Sequence, residues 1–187
     1  MGILFGFAPF IVFALLAGVS VDLALWAALA AAFVNAMRDF ARTRRLRILD
    51  VGSFALFGVL ALYTGFIQPS LSIQAVRLVV DGGLMAIALV SIVIGSPFTL
   101  DYAREQVPKE FWRAPLFLRT NTVVATVWVA AFAVMTAADA VATFNTRFPL
   151  PLDMATGLAA LALAVVFTVR YPARIRARAA QAAAAQR

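Results

Sequence analysis

Six apolar segments occupy most of the chain, and each is 15–17 residues long. They are Ile3–Val19, Leu23–Met37, Val51–Ile67, Leu78–Ile94, Val123–Ala138 and Met154–Val169. A helix that crosses a hydrocarbon core of about 30 Å needs roughly 17–25 residues, so each segment reaches across once its flanks add a turn. Hydrophobic residues make up 64% of the sequence and charged residues 13%, whereas a soluble domain has about 45–50% and about 25%. These values exclude a soluble globular protein and predict an all-α, polytopic transmembrane helix bundle with six spans.

The basic residues alternate between the loops and so predict the orientation of the bundle. Fourteen of the sixteen Lys and Arg residues follow the second, fourth and sixth segments, and only Arg77 and Arg147 lie toward the opposite loops. Because basic residues concentrate in cytoplasmic loops, both termini are expected in the cytoplasm, which agrees with an even number of spans. The predicted transmembrane domain covers residues 1–170, and a basic, Ala-rich cytoplasmic tail follows at 171–187. The spans are predicted at about 3–19, 21–38, 50–67, 76–95, 120–140 and 152–170.

The first two apolar segments are separated by a very short connection. Ser20 or Asp22 can cap the second helix, which favours a tight helical hairpin over the alternative of one long helix. Pro9 predicts a kink inside the first helix. Fifteen arginines against one lysine, together with the heavy use of alanine, are typical of high-GC bacterial genes, and we therefore expect a multi-pass protein of the bacterial inner membrane.

Several classes of chemistry lack the residues that they need. The chain has no cysteine and no histidine, which removes thiol nucleophiles, thiolate metal sites and the usual imidazole bases and ligands. It also has no phosphate-binding loop, no dinucleotide glycine fingerprint and no Gly-x-Ser-x-Gly motif. We therefore expect no cofactor, no metal site and no catalytic residues, and an enzyme is not favoured. The topology already accounts for the arginines, so no nucleic acid partner is expected.

The fourth span carries the most specific signal. Arg77 and Asp81 are four residues apart, so they can share one helix face and neutralise each other. An ionisable group within a span is costly unless it has a partner, a cavity or the interface, and is therefore a functional hypothesis by default. The alternative interpretation is a boundary ion pair, in which Arg77 snorkels to the interface.

A polar and aromatic stripe follows the fifth span. Its members, which fall on one helix face, are Asn121, Trp128, Phe132, Thr136 and Asp139. Such a stripe faces the bundle interior, either for hydrogen bonding between helices or as a path for a solute. The third span offers a matching face of Asp50, Ser53, Phe57, Leu60 and Thr64. Asp50 is interpreted as a helix cap like Asp22, and Asn35 adds a buried amide in the second span.

The longest connection, residues 98–112, predicts a short interfacial helix at the cytoplasmic face. Thr99 is expected to cap this helix, and Phe98, Tyr102, Phe111 and Trp112 are rings suited to the boundary between water and lipid. Together with Arg104 they form the candidate contact surface for a partner or for lipid. The connection acts either as a docking platform or gate, or as an aromatic belt with solvating charges. The basic loops are expected to attract anionic lipid headgroups.

Two stretches resemble a known family. Phe7-Ala8-Pro9-Phe10-Ile11-Val12-Phe13 resembles the opening of the bacterial intracellular septation protein A family. The aromatic spacing of Phe111-Trp112, Phe117 to Thr122 and Val127 to Phe132 is similar to the segment that leads into a late helix of that family. The resemblance implies an inner-membrane protein of the envelope and division machinery that works through partners.

The sequence as a whole therefore predicts a non-catalytic role in scaffolding, assembly or envelope maintenance, exercised through partner or lipid contacts. A membrane-protein partner or a homo-oligomer is compatible with this role. The alternative is a small transporter or channel for an ion or small solute, with Arg77 and Asp81 as its charged site.

Overall fold

The computed structural model describes residues 5–68, 71–145 and 150–185, and within these ranges the chain forms α-helices and no strands. The helices are α1 Ala8–Leu16, α2 Val21–Thr43, α3 Ile48–Phe66, α4 Ile73–Val93, α5 Thr99–Arg104, α6 Pro115–Phe144 and α7 Leu150–Ala185. A 3₁₀ turn at Lys109–Phe111 lies between α5 and α6. Residues 3 and 4 of the first predicted span and Arg147 lie outside the described residues. The all-α prediction is confirmed.

Within the described ranges, five helical stretches are long and apolar enough to cross a membrane. They are α2, α3, α4, α6 and the part of α7 from Pro151 to Arg178. Large apolar side chains cover their outer surfaces, such as Phe66 at 79% exposure and Leu163 at 71%. Exposing such a surface to hydrocarbon costs little free energy, whereas exposing it to water is unfavourable. The chain is therefore a multi-pass membrane protein.

The first apolar segment forms a shorter helix than predicted. Its nine-residue helix α1 begins at Ala8, because the helical turn before it is interrupted at Phe7, two residues ahead of Pro9. Proline lacks an N–H and clashes with the preceding turn, so it fits better in the first turn of a helix than in its interior. The predicted kink therefore takes the form of a new helix start.

The helix ends follow the predicted chemistry at some positions and depart from it at others. Ser20 caps α2, since its Oγ accepts a hydrogen bond from Leu23 N at 3.4 Å. Asp50 is not a cap, because Arg47 holds that position in α3 and Asp50 lies buried in the first turn. At the other end of the chain, α7 continues without interruption through Pro172, so the predicted tail begins inside a helix.

The helices pack through small residues and rings. In α2, alanines at intervals of four are buried at positions 24, 28, 32 and 36, and they let α1 and α3 approach closely. The remaining major contacts join α3 to α4, α4 to α6, and α6 to α7. Arg47 after α2 contacts Glu105 after α5, so these arginine-rich connections meet at one end of the bundle. We call this the basic end.

Candidate functional site

A cluster of charged side chains lies at the end of the bundle opposite the basic end. The Arg77 guanidinium of α4 reaches two other helices, with its Nη2 atom 3.3 Å from Asp139 Oδ1 of α6 and 3.1 Å from Asp153 Oδ2 of α7. Asp81 interacts electrostatically with all three of these groups, and its carboxyl faces that of Asp139. We call these four residues the Arg77 cluster. Arg77 thus pairs between helices, rather than with Asp81 as the sequence predicts.

Asp153 is a member of this cluster that the sequence analysis missed. Its position at the start of an apolar helix resembles that of Asp22, so the sequence indicates an ordinary cap. In the structure Asp153 is 3% exposed, whereas Asp22 lies at the surface. The signal that distinguishes them is the presence of an intramembrane arginine that needs a counter-charge, and sequence alone does not say which carboxylate supplies it.

The polar stripe of α6 is mostly buried, as predicted, but its polar groups bond locally. Asn121 Nδ2 donates to Phe117 O at 2.8 Å, and Thr136 Oγ1 donates to Phe132 O at 2.8 Å. These bonds lie within α6 itself, which satisfies the side chains without a solute. They do not join α6 to another helix, so these two bonds support neither hydrogen bonding between helices nor a path for a solute.

Other polar side chains bond between elements and hold the bundle together. Trp128 Nε1 donates to Thr168 Oγ1 of α7 at 2.9 Å, and Thr99 Oγ1 donates to the Asn121 carbonyl at 3.0 Å. Thr99 is therefore not the cap of α5, since its hydroxyl is used for packing. Asn35 is only partly buried, so the predicted buried amide is wrong; its Nδ2 donates to the Phe5 carbonyl at 2.6 Å and ties the first segment to α2.

Rings fill the middle of the bundle. The Phe7 ring stacks on Trp128 with centroids 4.8 Å apart, and the Phe10 ring lies 5.1 Å from that of Phe57. The predicted face of α3 is buried, but α6 packs mainly against α4 and α7. The expectation that the third and fifth spans are direct partners is therefore wrong, because rings of the first segment lie between them.

A second group of charged and polar side chains gathers at the basic end. Arg47 Nε lies 3.1 Å from Asp39, Nη2 bonds to Glu105, and the guanidinium lies 4.5 Å from the Tyr102 ring centroid. Asp50 is 2% exposed, and its Oδ2 has no hydrogen-bond partner among the described residues. Burial raises the pKa of the Tyr102 phenol, and the nearby Asp50 carboxylate raises it further. We call this the Arg47 cluster; it joins α2, α3 and α5.

The connection between α4 and α6 differs from the predicted contact surface. Phe98 and Tyr102 are 1% and 3% exposed, so they belong to the core and do not face a partner or lipid. Phe111 is 54% exposed and does lie at the surface. Arg104 lies between the buried Tyr102 and the exposed Phe111 in the chain, and its guanidinium is 5.7 Å from the Trp112 ring centroid. The surface available for contact is thus smaller than the sequence indicates.

A groove of about 830 Å³ lies at the basic end, between this connection, α6 and the C-terminal half of α7. Its walls are largely apolar and include Phe111, Leu116, Val169 and Ile175. Arg176 supplies a guanidinium at the groove, and its Nε lies 3.4 Å from the Pro172 carbonyl. Cavities of about 300–1,000 Å³ with mainly apolar walls and a few polar groups are typical of ligand sites. The sequence does not predict this groove, because the groove forms only when α7 packs beside the connection.

Within the described ranges, no group of three or more acidic side chains is arranged to hold a metal ion. Comparison with protein-family models, with curated proteins and with solved structures gives no match to this chain.

Proposed function

We propose that this chain is a non-catalytic, six-pass protein of the bacterial inner membrane that acts in scaffolding, assembly or envelope maintenance by binding anionic phospholipid. The observation that carries this proposal is the apolar groove at the basic end, with Arg176 beside it. The resemblance of the Phe7 to Phe13 stretch to the intracellular septation family points to the same kind of role.

The contacts of the first segment support a sixth pass. Phe5 bonds to Asn35, and Gly6 lies against Tyr102 and Leu49 at the basic end. From Phe5 the segment runs to Ser20, and α2 then runs back to Asn35, which bonds to Phe5. The segment therefore spans the same depth of the bundle as residues 20–35. At 1.5 Å per residue this depth is about 22 Å, most of a hydrocarbon core. With six passes, the positive-inside rule predicts that both termini and the basic end lie in the cytoplasm.

The chemistry of the groove fits one occupant, an anionic phospholipid. The largely apolar walls suit an acyl chain, since they bury apolar area of the ligand. A guanidinium can bond to a phosphate through two parallel N–H groups, and it stays charged at all physiological pH values. Anionic lipids enrich the cytoplasmic leaflet, where the basic end is proposed to lie.

Photo-crosslinking in nanodiscs tests this proposal. The protein is reconstituted with photoreactive phosphatidylglycerol or phosphatidylcholine, and crosslinked peptides are mapped by mass spectrometry. We expect phosphatidylglycerol to label α6 and α7 residues of the groove more strongly than phosphatidylcholine does. Arg176→Gln should reduce this labelling several-fold, and Val165→Phe, which narrows the groove, should reduce labelling by both lipids.

Arg178→Gln is the matched control, because Arg178 lies on the same helix at the surface and does not line the groove. It should leave the labelling unchanged. Equal labelling by the two lipids, or equal losses in the Arg176 and Arg178 variants, would overturn the proposal, since a general basic surface would then account for binding.

A transporter or channel is the second candidate function, and the Arg77 cluster is the observation that favours it. Four ionisable side chains from three helices lie together in a membrane protein, where ionisable groups commonly mark transport paths. Proton and ion flux into proteoliposomes under an imposed potential tests this candidate. Flux in the wild type that is lost in Asp81→Asn, at equal reconstitution, would favour transport over lipid binding. Wild-type flux equal to that of empty vesicles would count against it.

A further inference from the structure

The Arg77 cluster contains more negative than positive groups. One guanidinium faces the carboxyl groups of Asp139 and Asp153 within ion-pair distance, and Asp81 completes the set. The groups that act electrostatically on Asp81 are Asp139, Arg77 and Asp153, and those that act on Asp139 are Asp81, Arg77 and Asp153. Among the described residues, the three helices α4, α6 and α7 therefore bring three carboxyl groups to one guanidinium.

A second observation concerns one oxygen atom of this cluster. The Asp139 side chain is 3% exposed, its Oδ1 faces Arg77, and its Oδ2 has no hydrogen-bond partner in the described part of the chain. A buried carboxylate oxygen without a partner is costly, and a proton or a donor relieves that cost. The oxygen therefore marks a place where something further binds.

The neighbouring carboxyl group can supply that donor. Asp81 faces Asp139 across the α4–α6 interface, where the helices approach closely: a Cβ built on Gly82 would lie 3.6 Å from Thr136 Cγ2. Two adjacent carboxyl groups away from bulk water cannot both be ionised at low cost, and they commonly share one proton. A metal ion would be the other way to balance the charge, but the acidic groups of the described residues are not arranged to hold one.

We propose that the Arg77 cluster is a proton-binding site, in which Asp81 and Asp139 hold one exchangeable proton between them while Asp153 stays ionised against Arg77. The proton lies between the two carboxyl groups and occupies the side of Asp139 that Arg77 does not reach. This site goes beyond the lipid-binding role, and it does not depend on the groove.

Infrared spectroscopy of the full chain in nanodiscs tests the proposal directly. A protonated carboxyl group has a carbonyl stretch that is separate from the carboxylate bands and that shifts in heavy water. We expect this band in the wild type at neutral pH, and we expect it to be lost in Asp81→Asn and in Asp139→Asn. Asp22→Asn is the control, because Asp22 is exposed at the surface, and it should leave the band unchanged.

Thermal unfolding of the variants provides a second readout, which also shows whether each variant folds. Asparagine resembles a protonated aspartic acid, so Asp81→Asn should keep the melting temperature near that of the wild type. Asp153→Asn removes one of the two ion pairs of Arg77, so it should lower the melting temperature by several degrees and retain the band. A wild type without the band would overturn the proposal, as would a band that persists in the folded Asp81→Asn variant.

Discussion

Replacing Gly6 with alanine tests how tightly the first segment packs against the Arg47 cluster. A Cβ built on Gly6 overlaps Tyr102 Oη, and it would lie 2.7 Å from Tyr102 Cζ and 3.0 Å from Leu49 Cδ2. Tyr102 is 3% exposed and Leu49 is 1% exposed, so neither side chain can move into solvent. The ring and the segment must therefore separate by more than 0.7 Å to restore an ordinary contact distance of 3.4 Å.

Overpacking of this kind costs about 1–3 kcal/mol in a well-packed interior. For a chain of this length, 1 kcal/mol changes the melting temperature by about 2–4 °C. We therefore expect Gly6→Ala to lower the melting temperature by about 2–12 °C, measured on purified protein in one detergent. Adding Tyr102→Phe to this variant removes the overlapping hydroxyl and should recover part of the loss.

Gly58→Ala is the matched control, since its Cβ would meet only Leu29 Cδ1 at an ordinary 3.7 Å. It should leave the melting temperature nearly unchanged. An unchanged melting temperature in Gly6→Ala would refute the packing of the first segment against Tyr102. Equal losses in the two glycine variants would refute it as well, because the effect would then belong to helices in general.

Three further predictions test other contacts. Arg77→Gln leaves two buried carboxylates without their partner and should cost about 3–5 kcal/mol, seen as a lower melting temperature than that of Arg178→Gln, which removes an exposed arginine. Thr168→Val leaves the Trp128 indole N–H without its acceptor and should cost about 1–3 kcal/mol, with a shift in tryptophan emission as an independent readout. Burial raises the pKa of Asp101 in the folded protein, so folding favours the protonated carboxyl. The stabilisation that this proton provides is complete below the ordinary pKa of 3.8, and it is lost as the pH rises through the pKa of the folded state. Wild-type melting temperature should therefore fall over that pH range, and Asp101→Asn should flatten the pH profile.

Sequence periodicity predicted which faces of the helices are buried. The third-span face of Asp50, Ser53, Phe57, Leu60 and Thr64 is buried throughout. This prediction succeeds because a helix repeats every 3.6 residues, so residues at these spacings share a face whatever surrounds them. Local chemistry also gave Ser20 and Asp22 as the two candidate caps of α2, and Ser20 is the cap in the structure.

Periodicity did not predict which elements meet. The first segment forms the shortest helix of the six predicted spans. Its Phe7 ring nevertheless contacts Trp128, and its Phe10 ring contacts Phe57. A hydroxyl such as that of Thr99 can cap its own helix or bond to a neighbour, and the choice depends on how near the neighbour lies. Asp153 illustrates the same limit, because its role is decided by the position of an arginine on another helix.

Aromatic rings separate the two charged clusters, and this arrangement distinguishes the two candidate functions. The Arg47 and Arg77 clusters lie at opposite ends of the bundle, and aromatic rings packed at centroid distances of 4.8 Å and 5.1 Å lie between them. An ion that crosses such a layer loses its hydration without gaining polar partners, which is prohibitively costly. Transport through this bundle therefore requires the first segment to move aside, since that segment supplies Phe7 and Phe10. Lipid binding in the groove between α6 and α7 requires no such movement, and for this reason the structure as it stands favours the lipid-binding role.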